Sequence, residues 1–186
     1  MDSKLQIISG KYRGKKLFLP AGARPTQSLA RGALFNMING IVDNTQSMTV
    51  WDVFAGSGAF GLEYLSRFNN ANVIFTDNSN KSIDAIKKNL ASVSETTKVD
   101  FINALFVVEK YGKLADLIFI DPPYADFNLG VLFVKKLTTV AKPGAILIWE
   151  FEKIQDMPKI DENWEILRDK TYGRARFLIL QKKESL

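Results

Sequence analysis

A strand that stops at two glycines and restarts as a helix limits this chain to a few architectures. Residues 50–61 read V-W-D-V-F-A-G-S-G-A-F-G. The apolar run Val50, Trp51, Val53, Phe54 has strand character, and an amphipathic segment over residues 59–68 follows the turn. Gly56 and Gly58 allow a tight turn with close backbone approach to a ligand, and Gly61 lets helix and strand pack closely. Ser57 lies between the two turn glycines. The helix N-terminus beyond them presents unpaired N–H groups to something electron-rich. Asp77 closes a second apolar run (Val73, Ile74, Phe75) and lies 19 residues past Gly58. That is near the spacing at which a carboxylate meets ribose hydroxyls, so a nucleoside-containing cofactor is expected.

Composition removes several chemistries. The 186 residues contain no Cys and no His. Disulfides, thiolate nucleophiles, imidazole bases, Ser-His-Asp triads and His/Cys metal sites are therefore excluded. Carboxylates, hydroxyls, backbone groups, Lys, Arg or a cofactor must carry any reaction, which favours a reactive cofactor, and no metal is expected. No apolar run is long enough to span a membrane and the first residues read as no signal peptide, so a cytoplasmic protein is expected.

Charge is spread unevenly. Residues 1–31 hold seven basic side chains against the single acid Asp2, a net +6, and the other 155 residues carry −1. A basic arm on a near-neutral body points to a polyanion, nucleic acid first. The arm reads as a hairpin, with short β-prone runs at 5–8 and 16–19 around S-G-K-Y-R-G-K. Lys11, Arg13, Lys15 and Lys16 suit phosphate contacts. Tyr12 either stacks on a base or covers the hairpin's own apolar face. Residues 20–25 read as a loop dividing a hairpin extension (1–23) from an α/β body (24–186), and Thr26 or Ser28 suits the cap of the next helix. In that helix Leu29, Ala33, Leu34, Met37, Ile38 and Ile41 recur at helical spacing and are expected mostly in the core.

Strands and helices then alternate. Strands are expected at 50–54, 72–76, 99–102, 117–120 and 145–151, with helices at 59–68, about 80–90, about 105–111 and 129–140. On the last of these helices Leu132, Phe133 and Leu137 share one face. The strands at 164–168 and 175–181 have no helix between them and must pair antiparallel or sit apart. Five β-α units and a closing hairpin give a doubly wound, mostly parallel α/β sheet of seven strands, with an antiparallel strand near one edge.

In such a sheet ligands bind beyond the carboxyl ends of the strands. Those ends carry Asp52 with the glycine turn, Asp77, Asn103, and D-P-P-Y at 121–124. Two cofactors fit up to this point, a dinucleotide or S-adenosylmethionine. D-P-P-Y separates them. Two prolines fix consecutive φ angles and remove two N–H donors, leaving the Asp121 carboxylate and Pro122 carbonyl as a stiff acceptor array. Such an array holds both hydrogens of an –NH2 group, and Tyr124 offers a flat face to a base. Hydride transfer has no use for that geometry.

F-A-G-S-G at 54–58 with D-P-P-Y at 121–124 resembles class I methyltransferases that act on amino groups. I-I-S-G-K-Y-R-G-K-K-L at 7–17, R-P-T at 24–26 and R-G-A-L-F-N at 31–36 resemble the RsmD-type bacterial family, from about residue 5 to residue 182. That family methylates N2 of a guanine in small-subunit ribosomal RNA, with S-adenosylmethionine on a Rossmann-like fold; the sequence leaves open whether naked RNA or an assembled or partly assembled subunit is the substrate. The resemblance implies that Gly56, Ser57 and Gly58 border the methionine part of the cofactor, with Asp52 below. It implies that Asp77 binds the ribose, that Asn103 and Ala104 meet the adenine, and that Asp121, Pro122 and Tyr124 receive the guanine. The basic hairpin and Arg24 would hold RNA phosphates. The chain departs from the family at residues 27–32, where Q-S-L-A-R-G replaces the usual T-D-R-V-R-E. The rivals are an amino-methyltransferase of DNA adenine or cytosine, an inactive RNA-binding assembly factor, and, weakest, a dehydrogenase.

Overall fold

The computed structural model describes residues 5–20, 28–43, 45–94 and 97–184. Arg24, Thr26 and the loop after Pro20 lie outside these. Helix α1 (Ser28–Asn39) precedes an alternating series: β1 (Met48–Asp52), α2 (Ala59–Arg67), β2 (Ala71–Asp77), α3 (Asn80–Leu90), β3 (Thr97–Phe101), α4 (Ala104–Gly112), β4 (Leu117–Ile120), α5 (Phe127–Thr138) and β5 (Ile146–Glu152). Two strands close the chain, β6 (Trp164–Tyr172) and β7 (Ala175–Lys182). One seven-stranded sheet runs in the order β3-β2-β1-β4-β5-β7-β6. β1 to β5 are parallel, and β7 runs antiparallel between β5 and β6. The order reverses between β1 and β4, which is where the glycine turn and D-P-P-Y begin.

Alternation along the strands divides the core into two layers. Val50, Val73, Phe75, Leu117, Phe119 and Ile148 face α1, α2 and α3, while Trp51, Ile74, Ile118, Ile120, Leu147 and Trp149 face α4 and α5. Strands buried on both faces read as continuous apolar runs, which is why β4 is legible to its ends. Full burial of each large side chain, such as Trp51 or Phe133, contributes about 1.5–3 kcal/mol. Helix starts are fixed locally. The Ser79 hydroxyl caps α3, the Asn103 carbonyl accepts from Leu105 N at 2.9 Å to cap α4, and Asp126 accepts from Leu129 N at 3.2 Å to cap α5.

Several expectations need correction. Leu29 is 85% exposed, because the buried stripe of α1 runs through Ala30, Arg31, Leu34, Phe35 and Ile38. Leu132 is 44% exposed beside the buried Phe133 and Leu137. α5 starts two residues earlier than the apolar spacing indicates, after a single 3-10 turn over Tyr124–Asp126. β6 also continues past residue 168 to Tyr172, since its polar half pairs with β7 as an edge strand.

The N-terminal hairpin is bound tightly to α2. A bridge joins Gln6 to Lys16, and Leu5, Ile7 and Leu17 enter the same core layer as α1 and α2. The fully buried Glu63 carboxylate accepts from Ile8 N (2.8 Å), Ser9 N (3.0 Å) and Arg67 Nε (2.7 Å). Lys11 N donates to the Ser66 carbonyl at 2.8 Å, and Tyr12 N to its hydroxyl at 2.9 Å. Gly10 has φ +85°, and a Cβ there would lie 1.8 Å from the Ser66 carbonyl oxygen. Only glycine permits so close a seat.

Candidate active site

The site is built from the carboxyl ends of β1, β2, β4 and β5. Beyond β1 the chain turns through Gly56 (φ +55°) and Gly58 (φ +76°), both in the left-handed region. A Cβ on Gly61 would sit 2.3 Å from the Phe75 ring, so its absence sets the approach of α2 to β2. Asp77 braces the turn from the next strand: its carboxylate accepts from Gly56 N at 2.9 Å and Ser79 N at 2.8 Å. Asp52 lies buried beneath and accepts from Gly61 N at 3.0 Å. Burial pushes its carboxyl up to about 7. Ser57 is buried, and its carbonyl accepts from the Asn89 side chain at 2.9 Å.

An open cleft of about 900 Å³ runs along this edge, lined among others by Gly56, Asp77, Asn103, Ala104, Asp121 and Tyr124. Asn103 spends its carbonyl oxygen on capping α4, which leaves its amide NH2 as the group a base can meet. A smaller pocket of about 110 Å³ adjoins it, where Arg31 of α1 meets Asp52, Asp121 and Glu150 beside the Gly56–Ser57 turn. The positions expected at the strand ends thus meet along one edge of the sheet. Lys11, Arg13 and Lys16 lie exposed on the docked hairpin. Lys15 is half-buried with its ammonium on the Ser92 hydroxyl. Tyr12 packs partly buried against the core, its hydroxyl 3.5 Å from that of Ser94.

At the end of β4, no donor among the described residues reaches the Asp121 carboxylate or the Pro122 carbonyl. The next carbonyl, of Pro123, is taken by Asp126 N at 2.7 Å. Burial pushes Asp121 up to about 7. The Tyr124 hydroxyl donates to Glu150 Oε1 at 3.3 Å. Burial and the Asp121 charge raise Glu150 well above the usual carboxylate range, opposed by the Tyr124 hydroxyl and Arg31. Burial also raises the Tyr124 phenol, helped by Glu150.

Glu150 and Arg31 are not singled out by the sequence. Glu150 stands inside I-L-I-W-E-F, where one acid in an apolar strand is the available signal. Arg31 sits on the buried stripe of α1 at 3% exposure. It donates to the Gln6 carbonyl and pairs with Glu63 at 3.6 Å, while its Nε and Nη1 make no hydrogen bond among the described residues.

A family model described as conserved hypothetical protein 95 matches residues 5–181. The chain is 32% identical over 192 residues to the ribosomal RNA small subunit methyltransferase D of Haemophilus influenzae, covering 96% of this chain and 94% of that one. It is 30% identical over 190 residues to the protein of the same name from Escherichia coli K12, covering 98% and 92%. The chain belongs to the RsmD family. Among solved structures, Escherichia coli yhhF superposes with a TM-score of 0.81 at 29% identity, over 97% of this chain and 99% of that one. An RNA methyltransferase of Salinibacter ruber, solved with S-adenosyl-L-homocysteine, shares the fold with a TM-score of 0.61 at 15% identity, over 88% and 96%.

The cofactor implied by this class I methyltransferase fold is S-adenosylmethionine, and the donor set suits it. The cleft and pocket are lined by Asp52, Asp77, Asp121, Asp126 and Glu150 against two cations, Arg31 and Arg174. An acidic lining favours a sulfonium cation and opposes the pyrophosphate of a dinucleotide. In an RsmD-family protein the Gly56–Gly58 turn would then border the methionine portion, and Asp77 would take the ribose.

Proposed function

We propose that this protein transfers a methyl group from S-adenosylmethionine to the exocyclic N2 of a guanine in small-subunit ribosomal RNA. The observation that carries the reading is the pair of acceptors, Asp121 carboxylate and Pro122 carbonyl, that no donor among the described residues satisfies. Acceptors that the protein leaves open at a cleft wall are available to a ligand with donors, and an –NH2 group supplies two. The names of the relatives point to ribosomal RNA, and the basic hairpin suits it.

When bound, the cofactor supplies a methyl group that its sulfonium makes electrophilic. The residues do the rest by orientation. The N2 lone pair of guanine is delocalised into the ring and is a weak nucleophile. Accepting both N2 hydrogens at Asp121 and Pro122 localises that lone pair and fixes its direction, an effect with an upper range of about 7–11 kcal/mol. Positive charge develops on N2 as the new bond forms, and Asp121 stabilises it before taking the proton. Tyr124 gives the base a surface to stack on. The base must first leave its own stack, which costs least in an RNA loop.

The test is methyl transfer from labelled S-adenosylmethionine to small-subunit RNA, to the same RNA assembled with its proteins, and to DNA, followed by nucleoside digestion. N2-methylguanosine from either RNA sample is expected. Label in DNA alone, or no transfer, overturns the reading. Asp121→Ala should lose at least about a hundredfold in turnover while binding S-adenosylhomocysteine within a few fold of wild type. Normal turnover by that variant would remove Asp121 from its role.

A further inference from the structure

We infer that Glu150 is a base-reading residue that accepts guanine N1–H and so selects guanine over bases whose amine is flanked only by acceptors. This rests on the guanine-N2 reading above. The parallel register pairs Ile120 with Trp149, so the next residues, Asp121 just past β4 and Glu150 within β5, stand side by side. Both line the cleft together with Pro122 and Tyr124. Glu150 is 3% exposed, on a strand whose other residues from Ile146 to Phe151 are apolar.

A carboxylate there is expensive to hold, and its described partners do not saturate it. One oxygen accepts from the Tyr124 hydroxyl at 3.3 Å, and Arg31 faces the group across the small pocket. A carboxylate offers about four acceptor sites. The remaining capacity lies next to the acceptors proposed for N2.

Base chemistry supplies the matching donor. Guanine N2 has the N1–H donor beside it. Adenine N6 has the bare N1 acceptor in that place, and cytosine N4 has N3. A carboxylate oxygen adjacent to Asp121 gains a hydrogen bond from guanine and faces a lone pair in the other two. Sites built to bond a substrate N–H reject analogues lacking it far more strongly than apolar pockets reject a missing methylene. The arrangement Asp121–Pro122 for N2 and Glu150 for N1 reads two neighbouring atoms of one edge.

The experiment is a cycle between residue and substrate atom. Small-subunit RNA is prepared with guanine or 2-aminopurine at the mapped target; 2-aminopurine keeps the N2 amine and replaces N1–H by an acceptor. Methyl transfer to each is compared for wild type and Glu150→Gln, with Glu150→Ala as a second variant. Wild type should prefer guanine by about a hundredfold or more. Glu150→Gln, which can turn an NH2 toward an acceptor, should lower that preference at least tenfold. The missing O6 of 2-aminopurine affects all proteins alike and cancels in the cycle. Equal preference in wild type and both variants overturns the inference. If the variants do not fold, a wild type that methylates both RNAs equally overturns it as well. Absence of N2-methylguanosine from the wild type on guanine RNA would instead bring down the reading beneath it.

Discussion

Asp121 and Glu150 are two acids on adjacent strands, and one guanidinium, Arg31, lines the same small pocket. Like charges so placed cannot both ionise easily, and they titrate as a pair. Burial pushes Asp121 up to about 7, so protons occupy the pair below that pH and block acceptance from N2. The methylation rate at saturating cofactor should therefore rise with pH through about 7 and level above it. Glu150→Gln removes the neighbouring negative charge and should move this limb to lower pH, as a pH–rate profile under single turnover would record. A limb that stays in place would separate the two groups. Asp52, also pushed up to about 7, lies beneath the turn and accepts from Gly61 N; it supports the site from below.

Among the elements, the hairpin and α2 form a joint that the sequence leaves undefined. Glu63 reads only as a polar position on an amphipathic helix, yet it receives two hairpin N–H groups and the Arg67 guanidinium, with Arg31 close by. Glu63→Ala strands these donors and leaves the buried Arg31 and the partly buried Arg67 without this acid. Removing one partner of a buried ion pair typically costs about 3–5 kcal/mol. We expect a loss of that order in chemical denaturation, with amide exchange accelerated at Ile8 and Ser9 before the sheet opens. A variant as stable as wild type, with those amides still protected, would show that apolar contacts of Leu5, Ile7 and Leu17 alone seat the hairpin. Strand and helix positions are legible because their apolar periods differ, 2 against 3.6. Ends are less so. The start of α5 depends on the Asp126 cap behind two prolines, and the outer half of β6 depends on pairing with β7 rather than on its own polar sequence.

For the molecule as a whole, charge and acid are set on different parts. The hairpin exposes Lys11, Arg13 and Lys16, whereas the charged groups lining the cleft are Asp77, Asp121, Asp126 and Glu150 against Arg174. On the proposed reading, an RNA backbone would be attracted to the first and repelled from the second, so that a single base would enter the cleft while its phosphates stay outside it. Replacing Lys11, Arg13 and Lys16 together by Gln should weaken RNA binding and lower the slope of log K against log salt by about 2. That follows from about 0.7 for each phosphate that a cation ceases to neutralise on single-stranded RNA. Filter binding at several salt concentrations would measure this. An unchanged slope would make the basic stretch an ordinary solvated surface. No helix among the described residues is long and apolar enough to cross a membrane.

The local sequence by itself determined the α/β alternation, the glycine turn, the stiff D-P-P-Y acceptors and the basic N-terminus. Each of these depends on a few neighbouring residues: φ freedom at Gly56 and Gly58, fixed φ at Pro122 and Pro123, and apolar runs bounded by turns. Only the tertiary structure decided the strand order, which places β4 next to β1 although two β-α units intervene. That order and the parallel register set Glu150 beside Asp121, and helix packing brought Arg31 into the pocket that both acids line. Residues 31, 121 and 150 are far apart in the chain, and no local pattern links them. The sheet supplies the link, because hydrogen-bond register fixes which strand ends meet.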